Sequence, residues 1–288
     1  MAIEKLLFVD ANIWLDFYRV RSEAGLALLK HLEAVSNKII VTYQLEMEFK
    51  KNRQFAIKEG LDELKSPQSM SRPGLFSDAQ DAKALQKSLK EADARVRKLK
   101  GKLLKALDNP AANDPVYQAC QRIFHQESDL VLTRDNPVRR SIRRQAFRRF
   151  LIGCPPRKKG DTSIGDAINW EWMIECAVRR KAELVIVTRD TDYGLTLDGK
   201  AYINDHLKHE FSDRVSKKRK ILLYSRLSDA LKHFKIDVTP QEIQEEEKVA
   251  KRANKDTARL PDHVIQEILE EMKHIDFGTG AKPDDIFG

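Results

Sequence analysis

The chain repeatedly places short runs of almost unbroken apolar residues between stretches with helical spacing, and this alternation restricts the fold more than any other feature. In Leu184-Val185-Ile186-Val187 every residue is apolar, as expected of a strand whose two faces are both covered. Lys5–Val9, Lys38–Val41 and Ile221–Tyr224 read as further strands of this kind. Between them, Leu26, Leu29 and Leu32 fall at helical steps within 24–34. Thr42 is placed to cap a helix running through Lys58, with Leu45, Phe49 and Ala56 facing inward. A last helix is expected from Leu227 to Phe234. Strands separated by helices give an α/β fold with a mostly parallel sheet.

Residues 61–149 break the rhythm. After the loop residues Ser66-Pro67 to Pro73-Gly74, apolar Leu85, Leu89, Ala92, Val96, Leu99, Leu103 and Ala106 alternate four- and three-residue steps. That is the seam of a coiled-coil hairpin or of a dimer. Asn109-Pro110 and Asp114-Pro115 supply a turn, with Pro115 suited to open the next helix. That helix, carrying Val116, Ala119, Ile123 and Phe124, is expected to fold back on the first. The organisation that follows is a domain of residues 1–60 and 150–236, a helical insertion over 61–149, and an acidic helical tail over 237–288. On the tail, Val264, Ile268 and Met272 step by four along one face, suited to docking on the body or on a partner.

Charge divides along the same lines. The chain carries a net +8, but residues 237–288 hold thirteen acids against seven bases, which leaves +14 on the remainder. From Pro137 to Lys159 there is no acid, while Arg139, Arg140, Arg143, Arg144, Arg148, Arg149, Arg157, Lys158 and Lys159 crowd together. A helix this dense in like charge repels itself by tenths of a kcal/mol per i,i+4 pair. Phosphates relieve that repulsion and dominate nucleic-acid affinity, so RNA is the partner expected here. Phe147 and Phe150, lying among the arginines, suit either core packing or base stacking.

Several classes fall away. No apolar run approaches the ~20 residues of a membrane span. The first ten residues make a poor signal peptide, with an acid near the start and the apolar run ending at Asp10, so a cytoplasmic location is expected. Cys120, Cys154 and Cys176 are scattered and odd in number, against a disulfide framework or zinc site. His206 and His209 have ligand-like spacing but no neighbours to complete a site, and read as solvated surface.

Four segments put carboxylates where an open α/β sheet binds ligands, outside the carboxyl ends of its strands. Asp10 closes the first strand. Glu48 follows the second, with Glu46 as a rival facing another way on the same helix. Asp166 belongs to Ser163-Ile164-Gly165-Asp166, which has the spacing of a capping box. Asp190 and Asp192 follow the strand ending at Val187. Clustered carboxylates raise one another's pKa unless a cation joins them, and hard oxygen donors suit Mg²⁺ or Mn²⁺.

These segments, Phe8-Val9-Asp10-Ala11-Asn12, Val41 through Phe49, Ile164-Gly165-Asp166-Ala167-Ile168 and Val187 through Asp192, resemble in order the motifs of PIN domains, most closely a PIN-like subgroup with a long helical insertion. The resemblance covers about residues 1–55 and 160–235. It implies a three-layer α/β/α fold and a metal-dependent endoribonuclease, with Asp10, Glu48, Asp166 and Asp190 catalytic and, with Asp192, holding metal. Asn12 and Asp161 would act from just outside, and Arg189 with the basic helix would hold the substrate backbone. Many members of the family are toxins held by an antitoxin, so a toxin–antitoxin or phage-defence role, a protein partner on the insertion or tail, and self-association are implied expectations. Three other readings stand beside it. They are a flap-type DNA nuclease, a non-catalytic binding protein on the same scaffold, and a phosphatase of the haloacid-dehalogenase type. The last wants an acid two residues after Asp10, where Asn12 stands.

Overall fold

The computed structural model describes residues 3–68, 79–157 and 163–257, side chains being described through residue 253. Five strands form one sheet: β1 (Lys5–Val9), β2 (Ile39–Thr42), β3 (Val131–Leu132), β4 (Glu183–Val187) and β7 (Ile221–Tyr224), in the order β3-β2-β1-β4-β7. Every pairing in it is parallel. The central strands β1 and β4 run in register from Lys5 opposite Glu183 to Val9 opposite Val187. Helices flank this sheet in a three-layer α/β/α arrangement. β5 (Gly194–Leu197) and β6 (Lys200–Ile203) form a separate antiparallel hairpin. The chain divides into two compact units, residues 1–247 and 248–288.

The helices expected over 24–34 and after Thr42 form, and a further short helix precedes them. α1 (Ala11–Asp16) is capped by Asp10, whose Oδ1 accepts from the Ala11 amide at 2.7 Å. α2 spans Glu23–Ala34. α3 runs from Tyr43 to Glu63, with the Thr42 hydroxyl accepting from the Leu45 amide at 2.9 Å. That hydroxyl also donates to Asn169 Oδ1 at 2.5 Å, tying the carboxyl end of β2 to α8 (Gly165–Arg180).

The middle of the chain departs from the expected hairpin. α4 is a single helix from Gln80 to Asp108 in which only Ala106 is buried. α3 covers its apolar seam only near the carboxyl end, where Leu103 approaches Gly60, while Leu85 and Leu99 stay exposed. After the short α5 (Pro110–Asn113) comes α6 (Pro115–Phe124), which packs on α2 and β2 rather than folding back on α4. Val116, Ala119, Cys120, Ile123 and Phe124 join the main core. β3 then extends the sheet beside β2. The part of the chain outside the α/β body is therefore much shorter than 61–149. Its apolar residues from Val116 onward are spent on the sheet and its flanking helices.

A buried ion pair anchors α4. Arg53 Nε lies 2.8 Å from Asp114 Oδ2, and its Nη2 donates to the Ala106 carbonyl at 2.5 Å. Tyr18 donates to the same carboxylate at 2.8 Å, and Asp114 Oδ1 caps α6 by accepting from the Tyr117 amide. Arg53 and Asp114 are 4% and 3% exposed, so each is compensated by the other and by hydrogen bonds.

α7 (Arg139–Leu151) packs on α8, and α9 (Asp205–Arg214), α10 (Leu227–His233) and α11 (Pro240–Thr257) complete the helices. Thr239 and Glu242 form the capping box that opens α11, with Thr239 N donating to Glu242 Oε2 and Glu242 N to Thr239 Oγ1. The tail positions Val264, Ile268 and Met272 lie outside the described residues. No helix among those described is long and apolar enough to cross a membrane. Cys120 and Cys176 are buried thiols, Cys154 is half-buried, and none is bridged. His206 and His209 are exposed on α9.

Candidate active site

Because all five strands are parallel, their carboxyl ends share one edge, and helices leading back to the next strand begin there. Asp10 follows β1, Glu48 lies in the second turn of α3 after β2, Asp166 is the second residue of α8, and Asp190 follows β4. All four act electrostatically on Tyr193, a fully buried residue just before β5. Burial drives its phenol pKa upward, and the charges of Asp166, Asp10, Glu48 and Asp190 all push the same way. Tyr193 also donates a long bond to the Asp166 carbonyl at 3.5 Å. Sequence reasoning missed this residue, whose only trace is an aromatic side chain in a polar post-strand loop.

Asp10 is buried and held from several sides. Its Oδ2 accepts from the Asn12 amide at 2.8 Å and from the Thr188 hydroxyl at 2.6 Å. Thr188 Oγ1 in turn accepts from the Asp190 amide at 3.0 Å, joining the β1 and β4 termini. Burial raises the Asp10 carboxyl from 3.8 to about 7, helped by the charges of Asp190 and Asp166 and opposed by the bonds from Thr188 and Ala11. Asn12 Nδ2 also reaches Thr188 Oγ1 at 3.2 Å, while the buried Asn12 Oδ1 accepts no hydrogen bond from the described residues. An anionic site with a spare amide oxygen suits a hard cation and its water ligands. No three Asp, Glu, His or Cys side chains among the described residues stand close enough to hold a metal ion between them. Mg²⁺ commonly binds through one or two carboxylates and keeps several waters, a mode these donors accommodate.

Glu48 and Glu46 go to different places. Glu48 Oε1 accepts from Gln44 Nε2 at 2.8 Å and abuts Gly165, where a Cβ would lie 2.7 Å from it. Glycine at 165 therefore lets the first turn of α8 pack directly against Gln44 and Glu48. Glu46 points away, to Lys50 at 2.5 Å and His125 at 2.7 Å. Burial works to raise its pKa, but those two bonds outweigh it and leave it lowered. At the start of α8, Ile164 is the N-cap, and Ser163 Oγ accepts from the Gly165 amide at 3.1 Å.

A family model described as PIN domain matches residues 7–193, well over half of the chain and including all four acids. The chain belongs to the PIN domain family. Comparison with curated proteins and with solved structures gave no match. The match runs through α4, α6 and α7, consistent with a PIN body that includes β3. PIN domains are in general nucleases, acting on nucleic acid.

In this PIN domain the basic residues separate into two groups. Arg140, Arg143, Arg144, Arg148 and Arg157 are exposed, and Arg139 is half-buried with its guanidinium 5.8 Å over the Tyr43 ring. Arg157 lies 4.4 Å over Phe150, and Phe147 is exposed. Arg149 corrects the expectation of a uniformly substrate-facing row. It is 6% exposed, pairs with Glu171 at 2.9 Å and with Glu210, and donates to the Pro155 carbonyl. It faces inward because α7 packs that side against α8, so it holds α7, α8 and α9 together instead of meeting solvent. Arg189 likewise makes a two-pronged pair with Asp16 at 2.5 and 2.8 Å and donates to the Asn12 carbonyl. It braces the loop that carries Asp190 against α1. Asp192 is half-buried in that loop. Lys158, Lys159 and Asp161 lie outside the described residues.

Proposed function

We propose that this PIN domain is a metal-dependent endoribonuclease hydrolysing RNA phosphodiester bonds. The observation that carries the reading is Asp10, buried at the carboxyl edge of the sheet, its carboxyl raised to about 7 first by that burial and then by the charges of Asp190 and Asp166. Such a site is costly unless a cation compensates it. Of Asp10, Glu48, Asp166 and Asp190, one or two would bind Mg²⁺ or Mn²⁺ directly and the others through its waters, with Asp192 and Asn12 beside them. When bound, the metal supplies an acidified water and neutralises charge on the leaving oxygen.

The protein's own groups do the rest. Thr188 and the Asn12 amide fix Asp10 in orientation, Arg189 braces the Asp190 loop, and Gly165 lets the first turn of α8 pack against Glu48. The exposed arginines of α7 attract the phosphate backbone. In the narrowest form of this reading the chain is a cytoplasmic toxin of a toxin–antitoxin or phage-defence system, restrained by a protein partner.

The test is incubation of purified wild type, Asp10→Asn and Asp190→Asn with end-labelled RNA and single-stranded DNA, with Mn²⁺, Mg²⁺ or EDTA. Internal RNA cleavage that disappears with EDTA and in both variants is expected. No cleavage under any metal, or cleavage of DNA alone, refutes the assignment. The toxin role predicts growth arrest on expression that Asp10→Asn abolishes, and harmless wild-type expression refutes it.

A further inference from the structure

On the side of α3 away from the acids lies a cavity of about 570 Å³, within the ~300–1,000 Å³ range of small-molecule sites. The exposed Met47 gives it apolar surface over the buried Phe124 and Leu132, and the half-buried Tyr43 ring lines it. Lys50 and Arg134 stand in its lining. Arg139 lies over the Tyr43 ring, and Arg143 is near enough for its charge to act on the Tyr43 phenol, as Arg139 and Arg134 also do. Glu46, the acid in the lining, is already paired with Lys50 and His125. An aromatic and apolar surface beneath a cationic rim matches a base attached to its phosphate.

The location links this cavity to the reaction. Tyr43 is the first residue of α3, and its neighbour Gln44 holds Glu48 at 2.8 Å. The first turn of α3 therefore has the cavity on one side and the acids on the other.

We propose that this cavity is a subsite for one unpaired nucleotide of a single-stranded RNA, its base stacked on Tyr43 and its phosphate held by Arg134, Arg139 and Arg143. A base within a duplex cannot enter, so the subsite selects single strands next to the cleavage site. The proposal rests on reading the acids as a nuclease centre.

The test is fluorescence anisotropy with an end-labelled eight-nucleotide single-stranded RNA and the full chain in EDTA, so that binding is read without cleavage. Tyr43→Ala should weaken binding about tenfold, and Tyr43→Phe should stay within about twofold of wild type. An abasic nucleotide at one position should cost the wild type about the same factor and cost Tyr43→Ala nothing further. A duplex of the same sequence should bind more weakly than the single strand. If Tyr43→Ala fails to fold, Met47→Glu, which puts a carboxylate in the cavity, should give a similar loss. Unchanged affinity in a folded Tyr43→Ala, equal affinity for the duplex, or an abasic scan that is flat overturns the proposal. Base-dependent binding without any cleavage under Mn²⁺ refutes the nuclease reading and leaves the subsite standing. Cleavage with a flat abasic scan does the reverse.

Discussion

Replacing Asp10 with asparagine in the metal-free protein should stabilise the fold at pH 8, although it removes the residue at the centre of the acidic site. The Asp10 carboxyl is raised from 3.8 to about 7 by burial and by the charges of Asp190 and Asp166. Each tenfold change in an ionisation constant is worth about 1.4 kcal/mol. Keeping Asp10 ionised in the fold at pH 8 therefore costs on the order of 4 kcal/mol, a cost the unfolded chain does not bear. The sign follows from proton uptake: between pH 4 and 7 the folded state holds a proton the unfolded state has released, so stability falls as pH rises through that window. Asparagine escapes the charge cost but gives up a good acceptor for the Asn12 amide or the Thr188 hydroxyl, about 1–2 kcal/mol. The net gain at pH 8 is about 2 kcal/mol. At pH 5, with Asp10 mostly protonated, the charge cost falls to about 2 kcal/mol and the gain vanishes. Urea unfolding of wild type and Asp10→Asn in EDTA at both pH values measures this. A variant whose stability relative to wild type is the same at pH 5 and pH 8 would refute the argument, whatever its absolute stability. Mn²⁺ should then stabilise the wild type at pH 8 and leave the variant nearly unmoved.

Four other perturbations separate scaffold from site. Arg53→Ala strands the buried Asp114 carboxylate and should cost about 3–5 kcal/mol in urea unfolding, with a loss under 1 kcal/mol showing that water replaces the guanidinium. Changing Arg140, Arg143, Arg144 and Arg148 together to glutamine should leave stability nearly unchanged and flatten the salt dependence of RNA binding by up to about four in slope. Arg149→Gln should do the opposite, lowering the melting temperature while the salt slope stays put. Gly165→Ala would set a methyl carbon 2.6 Å from Gln44 Nε2 and 2.7 Å from Glu48 Oε1. Cleavage should fall at least tenfold with the fold intact, and unchanged cleavage would mean that Glu48 need not stay where it is.

Reading the chain from its residues worked where a single segment carries the physics. β1 and β4 are buried on both faces, so their composition alone marks them as strands. Thr42 and Asp114 announce helix starts because capping is local. β3 could not be found this way: two residues are too few for a pattern, and what makes them a strand is pairing with Val41 and Thr42. The α4 seam shows the same limit, since periodicity reveals an apolar face without saying what covers it. Arg149 is the sharpest case. In sequence it is one arginine among several, and only the acids at 171 and 210 decide that it is a buried tether. The positions of Asp10, Glu48, Asp166 and Asp190 after strands and at helix starts were legible because each belongs to a local strand or helix boundary. Tyr193, on which all four act, was not legible.

The acidic edge of the sheet shows how the fold reconciles two opposed demands. Four carboxylates repel a polyanionic strand, yet on the proposed reading the same edge receives one. The body keeps the two signs on different surfaces. Asp10 is 3% exposed at the carboxyl edge of the sheet, while the exposed arginines stand on α7 and Arg139 reaches across to Tyr43 at the start of α3. Exposed cations act over about 8 Å at physiological salt, enough to gather phosphates without touching the acids. Buried acids are screened far less, and their field is strongest for a small cation that can enter among them. α3 lies between these surfaces, with Tyr43 under an arginine and Glu48 against α8. On the proposed reading, its first two turns are where a strand held by positive charge is handed to a centre that becomes receptive only with metal present.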